Sequence, residues 1–423
     1  TMIKHILKII WNQRRSNVWI FMELLLVVAI FWVMMDSLFV DICTYKTPLG
    51  FDITNVYKVN FGKISPDVPG YVPDELHQTS DGEDVIRLAD NLRQNPEVEN
   101  ACLAIAACPY SWNTSWVNLI QAEADTTQKA DVFQRLQVEP AYYDVFRITD
   151  QEGHPLRPIV EQHTGDLVIT ADLERDFWNG QSGIGRQVKW NSSSTESITV
   201  AAVSTPLRRT EYDKSRPCFY VLWRSDKDII ETVEWAQAQN LECFIRMKDG
   251  FRSEDMEALL QQMSDRLTVN NLYVSSITPL QEMRTSFLKP RTDNLTKKSV
   301  LIGFMLLNVF LGIVGTFWLR TQYRQGEFGL RAALGASRSK LKQFMNVEGL
   351  CLLSFTVPLV LIFIVNMLYF DMPDTYRQPY SLWRFLVTFG GTCLLLAGMI
   401  WVGIWFPAQK IAKMDPAESL HYE

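Results

Sequence analysis

Residues 300–319 read VLIGFMLLNVFLGIVGTFWL, an apolar run that contains no charged side chain. A helix needs ~20 mostly apolar residues to cross a hydrocarbon core of ~30 Å, because lipid offers no hydrogen-bond partner to an open backbone. Three further runs of this kind lie at residues 17–40, 347–370 and 382–406. The sequence therefore predicts a membrane protein with four transmembrane α-helices, rather than a soluble protein with four long buried helices.

Residues 41–295, between the first two predicted spans, have an ordinary polar composition. Apolar periodicity predicts helices at 82–93 and 253–267, and strands at 98–106, 167–170, 197–203 and 219–223. Strands before and after the helices indicate a large α+β domain. The segment is long enough for two lobes, and we predict that a mostly β lobe is inserted at about residues 140–216.

The N-terminal 16 residues place Ile3, Ile6, Leu7 and Ile10 at helical spacing among basic residues, which predicts an amphipathic helix in the membrane interface. The run at 17–40 follows this basic segment, as the apolar core of a secretory signal would. However, it is longer than such a core, and no small-x-small cleavage site follows it. We therefore predict that residues 17–40 are retained as the first span.

The distribution of Lys and Arg predicts the orientation, because these residues accumulate on the cytoplasmic side of a membrane protein. Four precede the first span, six lie in residues 320–342, and the tail at 407–423 adds Lys410 and Lys413. The connection at 371–381 contains Arg377. Both termini and the loop at 320–346 are therefore predicted to be cytoplasmic, and residues 41–295 extracytoplasmic.

The extracytoplasmic domain is acidic, with 25 Lys and Arg against 38 Asp and Glu in residues 41–295. This balance argues against nucleic acid as a partner. The histidines of the domain are scattered, no GxSxG elbow is present in the sequence, and no cysteine has CxxC spacing or histidines at ligand spacing. We therefore predict a non-catalytic chain without a metal site.

The cysteines of this domain are Cys43, Cys102, Cys108, Cys218 and Cys243. Their number is odd, so at least one thiol has no partner within the domain. Cys102 and Cys108 are the one locally spaced candidate pair. The sequence does not determine how the others pair.

The loop after the second span reads RQGEFGLRAALGASR at residues 324–338. Phe328, Leu330, Leu334 and Leu341 give it apolar surface at partly helical spacing, and its glycines permit turns. A short amphipathic element between two spans is suited to receive a push from a cytoplasmic partner. Alternatively, its basic residues lie at lipid headgroups and only fix the topology.

Two of the carboxylates inside the predicted spans, Glu23 and Glu348, need an explanation, because a charge in lipid is costly. Glu23 either faces another helix or extends towards the cytoplasmic headgroups. Glu348 lies at the inner edge of the third span, where it is either an interfacial residue or a contact to the loop. We predict a structural role at the membrane edge for both.

The loop resembles the signature of the MacB/FtsX-like family of ABC transporter permeases, which has an E-I-G-L-R-x-A-L-G-A-S pattern after the second span. Other similarities are FWNG at 177–180, IG at 184–185 and DPAESL at 415–420. The resemblance implies a MacB-like periplasmic domain between the first two spans and a coupling helix that docks on an ATPase. The coupling residues that it implies are Glu327, Phe328, Gly329, Leu330, Arg331, Leu334, Gly335, Ala336 and Ser337.

The 423 residues contain no GxxxxGK[ST] phosphate loop. The resemblance therefore implies that a separate ABC ATPase subunit binds ATP and Mg²⁺, and that this chain holds no cofactor. It also implies a second permease copy or a paralogue, and a bacterial inner membrane. A periplasmic adaptor and an outer-membrane component are further candidate partners.

Two functions are compatible with the resemblance. In the first, the permease transmits the energy of ATP hydrolysis to its extracytoplasmic domain, a mechanism called mechanotransmission, and exports or extracts an amphiphile, peptide, lipoprotein or antibiotic. In the second, an FtsX-type signalling platform activates an extracytoplasmic enzyme or sensor without transport. The size of the domain favours the first.

Overall fold

The computed structural model describes residues 2–12, 14–123, 131–162, 166–191, 193–324, 326–327, 330–331, 334 and 336–413. The chain divides into two compact units. We call Thr1–Lys46 together with Thr292–Glu423 the helical unit, and Thr47–Arg291 the sheet unit.

The described α-helices number eleven. They are α1 (Met2–Asn12), α2 (Arg14–Lys46), α3 (Asp81–Arg93), α4 (Tyr142–Val145), α5 (Leu156–Gln162), α6 (Ala171–Trp178), α7 (Asp226–Ala236), α8 (Met256–Met263), α9 (Leu280–Tyr323), α10 (Arg338–Tyr369) and α11 (Leu382–Lys413). Short 3₁₀ helices lie at Asp74–Leu76, Ala238–Asn240, Ser253–Asp255 and Ser264–Arg266.

Among the described residues, four helical stretches are long and apolar enough to cross a membrane. They are Asn17–Lys46, Leu280–Tyr323, Ser339–Tyr369 and Leu382–Trp405. Each overlaps one predicted span, so the prediction of four membrane-spanning helices is confirmed. The chain is a multi-pass membrane protein. The second of these helices has 44 residues because its polar first half precedes the apolar run without a break.

The helix α1 packs on the helical unit. Ile6 and Ile10 are buried in the same apolar core as residues of α2, α10 and α11, whereas Trp11 is 71% exposed. The Asn17 side chain donates a hydrogen bond to the Ile10 carbonyl at 2.9 Å, which ties α1 to α2. Of the predicted interfacial face, Ile6 and Ile10 therefore contact protein, whereas Leu7 is 39% exposed.

A buried ion pair joins the first and last membrane helices. Arg384 of α11 is 1% exposed, and its guanidinium donates to both carboxylate oxygens of Asp36 of α2, at 2.8 and 2.5 Å. A second pair, Arg377 with Asp41 at 2.7 Å, connects the 371–381 segment to α2. Both arginines also bind residue Asp374, Arg384 through its carbonyl and Arg377 through its carboxylate. Charges inside an apolar bundle are thus compensated pairwise.

The sheet unit has eleven described strands. They are β1 (Val56–Lys63), β2 (Val98–Ile105), β3 (Ser115–Gln121), β4 (Asp131–Val138), β5 (Leu167–Thr170), β6 (Gln187–Lys189), β7 (Ile198–Ser204), β8 (Cys218–Leu222), β9 (Glu242–Met247), β10 (Thr268–Val269) and β11 (Leu272–Pro279). Their hydrogen-bonded order is β10-β11-β1-β9-β2-β4-β3-β6-β7-β5-β8.

The strand order defines two lobes. In one lobe, β10, β11, β1, β9 and β2 form an antiparallel sheet, on which the apolar faces of α3, α7 and α8 pack. In the other, β8 pairs in parallel with β4, so that the strands β4-β3-β6-β7-β5-β8 close into a ring. The lobes meet where β2 pairs with β4 over Ala104 and Ile105.

Successive side chains along the ring strands belong to two different apolar cores. Leu167, Ile169 and Phe219 belong to a cluster with Trp178 of α6, whereas their neighbour Val168 belongs to the cluster that contains the helix α4. Because successive side chains of a strand point to opposite faces, the first cluster fills one side of the ring strands and the second packs against the other.

The predicted helix at 82–93 is confirmed as α3, with Val85, Leu88, Ala89 and Leu92 buried. The two lobes of an α+β domain are also present. The segment 140–216, however, is not mostly β: it contains three helices, α4, α5 and α6, beside the strands β5, β6 and β7. These helices have four to eight residues, which is too short for apolar periodicity to reveal them.

All seven cysteines are free thiols, so the candidate pair Cys102 and Cys108 is not bonded. Cys102 lies in β2 and Cys108 in the loop that follows it, and both are buried in packed apolar side chains. Burial raises the pKa of the Cys108 thiol to about 12. A thiol in this state is protonated at neutral pH and unreactive.

Helices in lipid associate mainly through close packing, because lipid is as apolar as the side chains themselves. At Gly349 of α10, a Cβ would lie 2.7 Å from a methyl group of Ile400 and 2.9 Å from Ile404, both in α11. At Gly398 of α11, no heavy atom lies within 4 Å of such a Cβ. Gly349 therefore permits close contact of α10 with α11, whereas Gly398 has open space around it.

We expect Gly349→Val to destabilise the helical unit by ~1–3 kcal/mol, because the added methyl groups overpack the contact between α10 and α11. Gly398→Val is the matched control, since it makes the same chemical change in a membrane helix with open space around it. The measurement is unfolding of the full chain by SDS in mixed micelles. Equal destabilisation by the two substitutions would contradict the packing role of Gly349.

Candidate functional site

The candidate site is the segment between the end of α9 at Tyr323 and the start of α10 at Arg338, which we call the coupling segment after its predicted role. The structure describes Glu327, Leu330, Arg331, Leu334, Ala336 and Ser337 of the predicted coupling residues. The others, Phe328, Gly329 and Gly335, lie outside the described residues, as does the 414–423 part of the tail.

The described backbone of this segment turns as a helix does. The N–H of Leu334 donates to the carbonyl of Leu330 at 3.0 Å, and that of Ala336 donates to Arg331 at 3.0 Å. The next helix begins after Ser337, whose hydroxyl accepts a hydrogen bond from the Lys340 N–H at 3.4 Å. Serine is favoured at such an N-cap because its side chain satisfies a free N–H of the first helical turn. The chain therefore passes from one helical element directly into the next.

Arg324, directly after α9, organises the charges of the segment. Its Nη1 donates to both carboxylate oxygens of Glu348 in α10, at 3.1 and 2.9 Å, and its Nε donates to Glu327 at 2.7 Å. The side chains of Arg324 and Glu348 are 8% and 3% exposed. A guanidinium with several fixed donors can hold two carboxylates at once, which an ammonium does with less geometric precision. Arg324 thus connects the end of α9, the segment and α10.

Arg331 extends the same network. Its Nη2 donates to the second oxygen of Glu327 at 2.5 Å, and its guanidinium lies 4.1 Å from the ring centroid of Phe344 in α10. The guanidinium of Arg324 lies 5.9 Å from the same ring. These stacking contacts are favourable because the ring face carries partial negative charge. The polar side of the segment is therefore fixed to α10 at two places.

The leucines of the segment have the opposite environment. Leu330 is 54% exposed and Leu334 is 80% exposed, whereas Leu341, early in α10, is 5% exposed. Single exposed leucines are common on protein surfaces. Here, two occur four residues apart on a helical turn, so they lie on the same face. A rigidly held turn with an apolar face is suited to insert into a groove of another protein.

The predicted edge carboxylates occupy different environments. Glu348 contacts the coupling segment through Arg324, the second of the alternatives given above. A Cβ built on Gly312 of α9 would lie 2.8 Å from the Glu23 carboxylate, so Glu23 lies against a neighbouring helix. This geometry favours the helix-facing alternative for Glu23.

Sequence reasoning missed two members of the network, Arg324 and Phe344. Arg324 was counted only as one of the basic residues that set topology. A usable signal was present: one arginine ends an apolar helix, and one carboxylate lies near the start of the next. Phe344 gave no signal, because an aromatic residue near a span is usually packed in the core or at the interface.

We expect Glu348→Gln to destabilise the helical unit by about 3 kcal/mol, because it leaves the buried Arg324 guanidinium without its bidentate partner. Glu327→Gln is the comparison, since Glu327 is 33% exposed and water compensates much of the loss; there we expect ~1 kcal/mol or less. SDS unfolding of the full chain in mixed micelles measures both. If Glu327→Gln lowered the free energy of unfolding more than Glu348→Gln, Glu348 would not be the main partner that stabilises the buried Arg324 guanidinium.

Residues 299–416 match the family model described as FtsX-like permease C-terminal. The macrolide export ATP-binding/permease protein MacB of Salmonella choleraesuis is 22% identical over 295 residues, covering 67% of this chain and 42% of that protein. The probable syringafactin export ATP-binding/permease protein SyfD of Pseudomonas syringae pv. tomato is 24% identical over 180 residues, covering 42% and 26%. The chain thus spans less than half the length of these relatives.

Two solved structures overlap with part of the chain. The periplasmic region of MacB from Actinobacillus actinomycetemcomitans has a TM-score of 0.34 at 14% identity, and the match covers 56% of this chain and 94% of that one. The extracellular domain of the ABC-type transporter YknZ from Gram-positive bacteria has a TM-score of 0.29 at 9% identity, with coverage of 52% and 100%. The family match covers residues 299–416, which include the coupling segment and the last two membrane helices, so this part of the chain is similar to the C-terminal part of FtsX-like permeases, and the chain is similar to MacB at 22% identity.

Proposed function

We propose that this chain is the permease subunit of an ABC transporter in which a separate ATPase subunit hydrolyses ATP and drives motion of the sheet unit. The cargo would be an amphiphile, a peptide, a lipoprotein or an antibiotic. The observation that carries the proposal is the coupling segment: an exposed pair of leucines on a helical turn that ion pairs fix to two membrane helices. The family match supports it.

Because ion pairs attach the coupling segment to the membrane helices, a force applied to the segment would be transmitted to those helices. A partner that binds Leu330 and Leu334 would apply force to a helical turn. The polar side of this turn is connected through Glu327 and Arg324 to Glu348 of α10. Breaking such a buried network is costly, so displacement of the segment moves α9 and α10 with it. The helix α9 begins in the sheet unit and ends at the segment, so one continuous helix supplies residues to both units.

The charged side chains of the membrane helices also support transmission of motion. Ionisable residues inside spans often mark the path of an ion or a polar substrate. Here Asp36 and Arg384 pair with each other, and Glu348 pairs with Arg324. These groups serve as fixed links between helices, which agrees with a permease that moves its helices rather than one that conducts ions through them.

The proposal includes the remaining parts of the complex. ATP and Mg²⁺ would bind to the ATPase subunit, and this chain would need no cofactor of its own. A second permease copy or a paralogue would complete a dimer in a bacterial inner membrane. The basic coupling segment and both termini would face the cytoplasm, and the acidic sheet unit would face the periplasm, where an adaptor could bind.

We expect Leu334→Asp and Leu330→Asp to abolish binding of the ATPase subunit, because each places a charge on the apolar face that would enter the partner's groove. Leu76→Asp in the sheet unit is the matched control, since Leu76 is 69% exposed and lies far along the chain from the segment. The measurement is affinity purification from the native membrane, with vanadate-sensitive ATP hydrolysis and mass spectrometry of the eluate.

Unchanged SDS unfolding of the leucine variants would show that they still fold. Recovery of an ATPase with the parent chain and with Leu76→Asp, but not with the two segment variants, is the expected result. Recovery with all four chains would remove the segment as the docking site. Absence of an ATPase from every eluate would contradict the proposed function itself.

A further inference from the structure

A pocket of about 220 Å³ lies in the sheet unit, apart from the coupling segment. Aromatic side chains form much of its wall, and four basic residues line it together with one acidic residue, Asp213. The aromatic residues include Phe51, Trp112, Trp116, Tyr142 and Phe287, and the basic residues are Arg208, Arg209, Lys214 and Arg216. The pocket is therefore both apolar and cationic.

The positive charge of the pocket contrasts with its surroundings. Residues 41–295 carry 25 Lys and Arg against 38 Asp and Glu. Four of these bases line one small cavity, whose walls exclude part of the water that would otherwise screen them. Arg208 is already engaged, because its guanidinium donates hydrogen bonds to the carbonyls of Thr47, Glu211 and Asp213. A concave surface lined by one sign of charge concentrates the field and attracts ions of the opposite sign. The pocket is thus the place in this unit where an anion would be favoured.

Arg209 is held at the centre of the aromatic wall. Its guanidinium lies 4.6 Å from the Trp112 ring centroid and 5.5 Å from that of Phe287, and it donates a hydrogen bond to the Ser111 carbonyl. The two rings are 5.0 Å apart at an interplanar angle of 40°. The arrangement leaves Trp112 81% exposed. A fixed and exposed indole offers a ligand an apolar face and an N–H donor.

Arg209 and Arg216 are close enough for their charges to interact. Burial lowers the pKa of the Arg209 guanidinium, the charge of Asp213 opposes this shift, and the like charge of Arg216 adds to it. A group that accepts hydrogen bonds from both guanidiniums would offset their repulsion. Phosphate and carboxylate oxygens are such acceptors, and they match the fork geometry of arginine.

The loop that carries Trp112 is held in a strained conformation. Ala106 and Tyr110 both have a φ of 54°, in the left-handed region that non-glycine residues rarely adopt. Strain of ~1–3 kcal/mol for each such residue persists only where the surrounding structure enforces it, commonly at binding sites. Contacts with the surrounding structure must therefore hold this loop in its conformation.

Glu242 of β9, which is 2% exposed, supplies this constraint. One carboxylate oxygen accepts a hydrogen bond from the Ala107 N–H and the other accepts one from the Asn113 side chain, both at 2.8 Å. Tyr142 adds a hydrogen bond from its hydroxyl to the Ala107 carbonyl at 2.7 Å. A single buried carboxylate thus fixes both ends of the loop and with them the position of Trp112.

From this geometry we propose that the pocket binds a small anionic amphiphile, an aromatic or short acyl group that bears a phosphate or a carboxylate. The apolar part lies against Trp112 and Phe287, and the anionic head accepts hydrogen bonds from Arg209 and Arg216. The volume limits the bound apolar part to about the size of a fused pair of rings. The site does not depend on coupling to an ATPase, so its test is independent of the proposed function.

The test uses the full chain in maltoside micelles and 1-naphthyl phosphate as the probe, with binding measured by isothermal titration calorimetry. We expect saturable binding that Arg209→Gln and Arg216→Gln each weaken ~10-fold or more, because each removes a charge-assisted hydrogen bond. Trp112→Ala should weaken binding as well. The neutral 1-naphthol and the cationic 1-naphthylmethylammonium should bind at least ~10-fold more weakly than the phosphate.

Matched controls separate the site from general charge and fold. Arg87→Gln replaces an exposed arginine of α3 outside the pocket, and Trp235→Ala replaces a tryptophan of α7 that is 61% exposed. Both should bind the probe as the parent chain does. The Arg216 side chain is exposed, so its substitution tests the pocket even if Arg209→Gln impairs folding.

Two sources could provide the same ligand chemistry, a lipid headgroup and a free anionic amphiphile. Competition by monomeric dihexanoyl phosphatidylglycerol would identify the lipid headgroup, and probe binding without such competition would identify a free amphiphile. Three results would overturn the proposal: no saturable binding, equal binding of the three naphthyl compounds, or loss of binding in the control variants to the same extent as in Arg216→Gln.

Discussion

The helical unit depends on buried ion pairs between its membrane helices. Hydrophobic burial cannot select one helix arrangement in lipid, because lipid-facing and helix-facing leucines have nearly the same environment. Paired charges can, since an unpaired guanidinium in this setting costs several kcal/mol. Arg324 with Glu348 joins α9 to α10, and Asp36 with Arg384 joins α2 to α11. Each of the four membrane helices thus takes part in one of two ion pairs.

The ion pair of Glu348 and the close packing of α10 on α11 occur at adjacent residues. Gly349 follows Glu348 directly, and its missing side chain is what allows Ile400 and Ile404 of α11 to approach. Where α10 is bound to α9 by charge, it is therefore also bound to α11 by contact. A displacement of the coupling segment acts on three helices through one turn of α10, which explains how so short a segment could direct a whole bundle.

Sequence reasoning reached the features that depend on neighbouring residues. Twenty apolar residues in succession identify a span, and four apolar side chains at helical spacing identify α3. It did not reach features that depend on residues far apart in the chain. The strand β9 pairs with β1 and β2, and Arg209 meets Ser111 across 98 residues, so neither the sheet order nor the pocket has a local signature. Arg324 and Glu348 are an intermediate case, because an arginine at the end of one apolar helix and a carboxylate near the start of the next are visible in the sequence, but only the fold shows that the two side chains meet.

Two residues that line the pocket lie close in sequence to the two ends of the sheet unit, which relates the pocket to the proposed mechanism. Phe51 lies soon after the start of the sheet unit at Thr47, and Phe287 lies in α9 just before the unit ends at Arg291. A ligand in the pocket would therefore contact residues next to both chain connections to the helical unit. If motion of α9 changes the position of Phe287 relative to Trp112, ligand affinity must differ between the two states. By thermodynamic linkage, the ligand would then favour one state by the same free energy. Under the proposed function, ligand binding in the sheet unit and ATP hydrolysis by the partner ATPase would influence each other through α9, the single helix that supplies residues to both units.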